Sequence, residues 1–176
     1  MKTTRRQALA GGVAIAAGAA LPSPARAADP DEERATAALV AVIDLEQTAE
    51  VAYEAIANAG ALTDLPRGFL DQERQHVEQM QAALDALGAD SPIPPRRTEI
   101  RGLGAATSGR AAAARFAIGL EQRTVAAYQR AIRDILDPNA MRTCAGAMGT
   151  DAQQLVVLRG IAGAPPVPHV FETGRG

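Results

Sequence analysis

Apolar positions recur alternately every three and four residues through most of the chain after residue 28, the spacing that puts side chains on one face of a helix. Four such stripes can be read. The first runs Leu39, Val42, Glu46, Ala49, Tyr53, Ile56; the second Phe69, Glu73, His76, Met80, Ala83, Leu87. The third runs Ala114, Ala117, Glu121, Thr124, Tyr128, Ala131, Ile135, and the fourth Cys144, Ala147, Asp151, Gln154, Leu158, Ile161. An acid interrupts each apolar face near its middle.

Local punctuation bounds the helices. Asp29-Pro30-Asp31-Glu32 supplies an N-cap acid, a first-turn proline and further acids, and Asp137-Pro138 repeats the signal before the fourth helix. The first helix is predicted to end at Gly60, the second to run from near Pro66 to Gly88, the third from after Ser108 to Leu136, and the fourth to fade at residues 160–163. Short connections at 61–65 and at 137 predict two antiparallel hairpins. Residues 89–107 are rich in Pro and Gly, show no helical period, and predict a long link. A helix of about 25 residues is roughly 38 Å long, and about 19 extended residues reach roughly 60 Å, so the link can cross the bundle.

The first 27 residues follow a different pattern. Lys2, Arg5 and Arg6 precede an uncharged Ala/Gly-rich run from Ala8 to Leu21, then Pro22-Ser23-Pro24 and Ala25-Arg26-Ala27. These are the three regions of a secretory signal peptide, with cleavage expected after Ala27. Thr4-Arg5-Arg6-Gln7-Ala8-Leu9 resembles the twin-arginine signal, which implies the twin-arginine export machinery as a partner and a periplasmic or extracellular destination. The apolar run is shorter than the roughly 20 residues that span a bilayer. The expected organisation is a signal peptide at 1–27, a helical domain at 28–163 and an irregular tail at 164–176.

Composition narrows the function classes. The signal segment holds four of the 18 basic residues and none of the 20 acidic ones, so the remainder carries a net charge of −6, which disfavours nucleic acid as a partner. Aromatic residues make up 3% of the chain, so the core must be aliphatic and the helices closely packed. Cys144, the one cysteine, can form no intrachain disulfide and reads as a small buried hydrophobe.

An internal repeat joins the two halves. Leu45-Glu46-Gln47 and Leu120-Glu121-Gln122 are each followed by tyrosine seven residues after the glutamate, at Tyr53 and Tyr128. Glu73-x-x-His76 follows Glu46 by 27 residues, and Asp151-x-x-Gln154 follows Glu121 by 30. Residues three apart on a helix share a face, so Glu73 and His76 can approach one ion. The tyrosines read as core residues whose hydroxyls bond a buried acid, with the opposite hairpin one source of that acid. Glu50 and Glu54 lie near the first stripe's edge and read as solvated, as do His169 in the tail and Arg96, Arg97 and Arg101 in the link.

This pattern resembles the ferritin-like di-iron and di-manganese proteins, in which two helices give one Glu each and two give Glu-x-x-His. The resemblance implies an all-α ferritin-like four-helix bundle of two antiparallel hairpins joined by a long crossover. It implies Glu46, Glu73, His76 and Glu121 as metal ligands, with Asp151 and Gln154 standing where the second Glu-x-x-His would be. Asp is one methylene shorter than Glu, and Gln brings an amide where the family has an imidazole. The cofactor expected is Fe or Mn, as one or two ions, with O2 or peroxide as the oxidant. The alternative is a metal-free bundle acting as a non-enzymatic binding or structural protein of the cell envelope.

Overall fold

A computed structural model describes residues 29–63, 67–169 and 171–174; the expected signal peptide lies outside them. Among the described residues the chain is all helical. Helix α1 spans Pro30–Asn58, α2 Arg67–Asp85, α3 Leu103–Ala106, α4 Arg110–Asp134 and α5 Pro138–Ile161. None of them is long and apolar enough to cross a membrane.

The helix ends follow the sequence signals. Asp29 accepts the Asp31 backbone N–H at 3.0 Å with Pro30 in the first turn, and Asp137 accepts the Ala140 N–H at 2.7 Å with Pro138 in the first turn. Gly60 takes φ +64 after α1, a conformation that a side chain would oppose, and the Ala61 N–H closes back on the Ile56 carbonyl at 3.1 Å. The turn that follows tucks Ala61 and Leu62 into the core.

Helices α1 and α2 form one hairpin and α4 and α5 the other, while residues 86–109 cross between them. That crossover is more ordered than its sequence predicts. It contains a single 3-10 turn at Arg97–Glu99 and the one-turn helix α3, whose Leu103 and Ala106 are fully buried. Two apolar positions one turn apart are too few to register as a period, yet they seal one end of the bundle. The Gln47 side chain pins the crossover to α1 by donating to the Pro92 carbonyl at 3.1 Å.

The predicted inward stripes are buried except at two helix ends; Ile161, the last of the fourth stripe, is half-buried. In α2 Leu84 is fully buried, whereas Ala83 and Leu87 are half-buried, because successive four-residue steps from His76 through Met80 continue to Leu84.

The core divides into two apolar blocks. One gathers Tyr53, Ile56, Leu62, Phe69, Leu103, Leu120 and Leu158; the other gathers Leu39, Ile43, Met80, Leu84, Tyr128 and Cys144. On every long helix buried polar residues fall between the two blocks, Glu46 on α1, Glu73 and His76 on α2, Glu121 and Thr124 on α4, Asp151 and Gln154 on α5, while buried Gln47 and Arg159 bond instead to the crossover and the tail. The fold therefore encloses a polar layer between two greasy plugs.

Candidate metal centre

All six side chains singled out from the sequence meet in this layer. Five are 1% exposed or less, and His76 is 5% exposed. Glu46, Glu73, His76 and Asp151 each offer one donor atom, and those atoms lie within 4.8 Å of one another. Glu73 and His76 reach the cluster from adjacent turns of α2, as their spacing requires.

Glu121 and Gln154 border this group of four. The Gln154 amide nitrogen donates to Glu73 Oε1 at 2.7 Å and to Gln72 Oε1 at 3.2 Å, so it ties Glu73 to α5. The Tyr53 hydroxyl donates to Glu121 Oε1 at 2.5 Å, and the Tyr128 hydroxyl donates to Glu46 Oε1 at 2.5 Å. Each tyrosine thus serves the carboxylate of the opposite hairpin. Burial, then the charge of the acid it serves, pushes each phenol above its usual range and keeps it a neutral donor.

The same burial shifts three of the carboxyl groups towards the neutral form. Desolvation raises Glu46 well above its ordinary range, with Asp151 the next cause; it raises Glu121 and Asp151 too, with Glu73 the next cause for both. Burial lowers His76, against the pull of Glu73.

His76 Nδ1 lies 3.3 Å from Glu46 Oε1 and 3.4 Å from Asp151 Oδ1, distances that suit an ion pair. No hydrogen bond forms, and burial favours the neutral ring, so these contacts are not a salt bridge. Beside Nδ1, the buried atoms Glu46 Oε2, Glu73 Oε2, Glu121 Oε2, both Asp151 oxygens and Gln154 Oε1 have no hydrogen-bond partner. Buried polar atoms are ordinarily paired, and the donors of Glu46, Glu73, His76 and Asp151, which lie within 4.8 Å of one another, fit a cation. Oxygen atoms with one imidazole nitrogen suit a hard or borderline divalent metal.

The structure also separates bystanders from the site. Glu50 pairs with Arg74 at 3.0 Å across the first hairpin, and Glu54 and His169 are exposed. Arg96, Arg97 and Arg101 are exposed in the crossover. Cys144 is fully buried against Met80, its sulfur 3.5 Å from the thioether, and burial pushes its thiol up to about 11. Gln72 was not legible as a site residue: it carries no periodic signal of its own, and only the fold brings its amide to Gln154.

The profile of the ferritin-like domain matches residues 37–164, most of the chain and all four long helices in whole or large part. The chain belongs to the ferritin-like domain family. A crystal structure of a conserved hypothetical protein from Mycobacterium tuberculosis resembles this ferritin-like chain with a TM-score of 0.66. The two share 19% sequence identity over 80% of this chain and 99% of the other, so the likeness is one of fold. No curated protein matches the sequence. Glu46, Glu73, His76 and Glu121, which the sequence resemblance implies as ligands, all lie buried in the polar layer with Asp151 and Gln154.

Proposed function

We propose that the polar layer binds a divalent cation, Fe(II) or Mn(II), and that the protein handles this metal together with O2 or peroxide outside the cytoplasm. The observation that carries the reading is the set of buried, unpaired donor atoms around His76 Nδ1, drawn from three helices and close enough to share one ion. Glu46, Glu73, His76 and Asp151 would hold the cation, and Glu121, fixed by Tyr53, stands ready as a further carboxylate. A bound Fe or Mn supplies a redox couple and a Lewis-acidic position for the oxidant. The chain's own part is to orient the carboxylates through Tyr53, Tyr128 and Gln154, and to keep bulk water out with the two apolar blocks. Export rests on the twin-arginine-like segment at 1–27.

Elemental analysis of the purified protein beside a Glu46→Ala/Asp151→Ala variant tests binding. The wild type should retain Fe or Mn and the variant should lose it; equal metal content in both would remove these ligands. Following Fe(II) oxidation in the presence of O2 or peroxide then tests the reaction.

A second reading has its own support. Gln154 donates to Glu73, two tyrosines donate to Glu46 and Glu121, and burial favours protonated carboxyls, so protons can replace a metal in keeping the layer neutral. The protein would then be a metal-free envelope bundle with a binding or structural role. A cation that binds only the folded state raises its stability, so an unchanged melting temperature at saturating Fe(II) and Mn(II) selects this second reading.

A further inference from the structure

Of the seven side chains in the polar layer, His76 alone is more than 1% exposed. It also lines a groove of about 370 Å³ between α2 and α5. The imidazole is therefore a partition: Nδ1 looks inward to Glu46 and Asp151, while the residue borders the groove on the other side. The walls include Gln72, Gln75 and Gln79 from α2 and Gly146 and Thr150 from α5, and apart from His76 no lining residue is acidic or basic. Gln72 also accepts from the Gln154 amide that donates to Glu73, so one wall of the groove is hydrogen-bonded directly to the cluster.

We infer that a divalent cation reaches the cluster through this groove between α2 and α5, and that Gly146 keeps the passage open by having no side chain. The inference rests on the metal-binding reading above.

The chemistry of the walls suits passage more than retention. Amide and hydroxyl oxygens can replace water around a hard cation, as they do in oxygen-ligand sites, without the full charge that would trap it at the mouth. The attraction is placed deeper, at the buried donor atoms of Glu46, Glu73, His76 and Asp151. Gly146 lies in the interior of α5, where glycine lowers helix stability, and a Cβ built there meets nothing within 4 Å. Packing therefore does not require glycine at 146. The space in front of it is the groove.

Stopped-flow mixing of the full chain with Co(II), followed by its absorption bands, measures the passage separately from the site. The series Gly146→Ala, Gly146→Leu and Gly146→Trp should slow uptake progressively, with Leu and Trp slower by about tenfold or more, while the Co(II) bound at equilibrium stays that of the wild type. Gly149 is an exposed α5 glycine that does not line the groove and whose built Cβ also meets nothing, so Gly149→Leu is the control and should bind at the wild-type rate. Circular dichroism verifies that each variant keeps its helices. Wild-type uptake rates across the Gly146 series, or equal slowing by Gly149→Leu, overturn the passage while leaving the metal site standing. Failure of the wild type to bind Co(II) at all overturns the metal site and the passage with it.

Discussion

The Tyr53 hydroxyl on α1 donates to the Glu121 carboxylate on α4 at 2.5 Å, and Tyr128 on α4 returns the same bond to Glu46 on α1. The two contacts run in opposite directions along antiparallel helices, so the Glu-x6-Tyr repeat closes on itself. Each hairpin orients one acid of the other. The polar layer is consequently a property of the pair of hairpins and not of either one.

Removing one hydroxyl leaves a buried carboxylate oxygen without its donor. Tyr53→Phe and Tyr128→Phe should each destabilise the metal-free protein by about 1–3 kcal/mol, read from urea unfolding. A loss below a few tenths of a kcal/mol would mean that the acid finds another partner.

The pH dependence of the metal-free protein follows from the direction of each shift. Glu46, Glu121 and Asp151 are raised from ordinary values of 4.5, 4.5 and 3.8, so above those values the folded state keeps protons that the unfolded chain releases. Their contribution is present below the ordinary values and is lost as pH rises through the raised ones, at up to about 1.4 kcal/mol per pH unit for each retained proton. His76 is lowered from 6.5 and acts oppositely, adding stability as pH rises towards that value. Three carboxyls outweigh one imidazole. The metal-free protein should be more stable near about pH 5 than near about pH 8, and saturating Mn(II) should narrow the difference. Greater stability at the higher pH without metal would contradict the burial of these acids.

Gln154 follows Asp151 by three residues as His76 follows Glu73, and its amide nitrogen occupies Glu73 Oε1. Gln154→His would free that oxygen and add an imidazole. Metal content should rise from about one ion per chain towards about two, measured by elemental analysis. An unchanged ratio would show that the limit lies elsewhere, with the shorter Asp151 the next candidate.

The tail carries a separate structural debt. Arg159 on α5 is 6% exposed, and its guanidinium donates to Glu172 at 2.6 Å, while the Gln129 amide donates to the Glu172 carbonyl at 3.2 Å. Glu172→Ala leaves a buried cation unpaired and should cost about 3 kcal/mol in denaturant unfolding. Gly174→Ala should release the same segment, because φ is +67 and a Cβ would meet the Gln122 carbonyl oxygen at 2.1 Å. Unchanged stability in both variants would show that the tail is not fastened there.

Much of this was legible along the chain. Helical period, Asp-Pro caps and the acid in each stripe marked four helices, two hairpins, and Glu46, Glu73, His76, Glu121, Asp151 and Gln154 as one inward set. These are short-range signals, since a helix fixes which residues share a face within a few turns. The helix α3, the Arg159–Glu172 pair and the role of Gln72 were not legible, because each depends on a partner distant in sequence and carries no period.

The sequence by itself determined that carboxylates and a histidine would face inward from four helices. Only the tertiary structure decided that Glu46, Glu73, His76 and Asp151 converge most tightly, that Gln154 gives its amide to Glu73, and that the tyrosines cross between hairpins. The physical reason is that a stripe sets the face of a helix, whereas the height and rotation at which two helices meet come from how their side chains interlock.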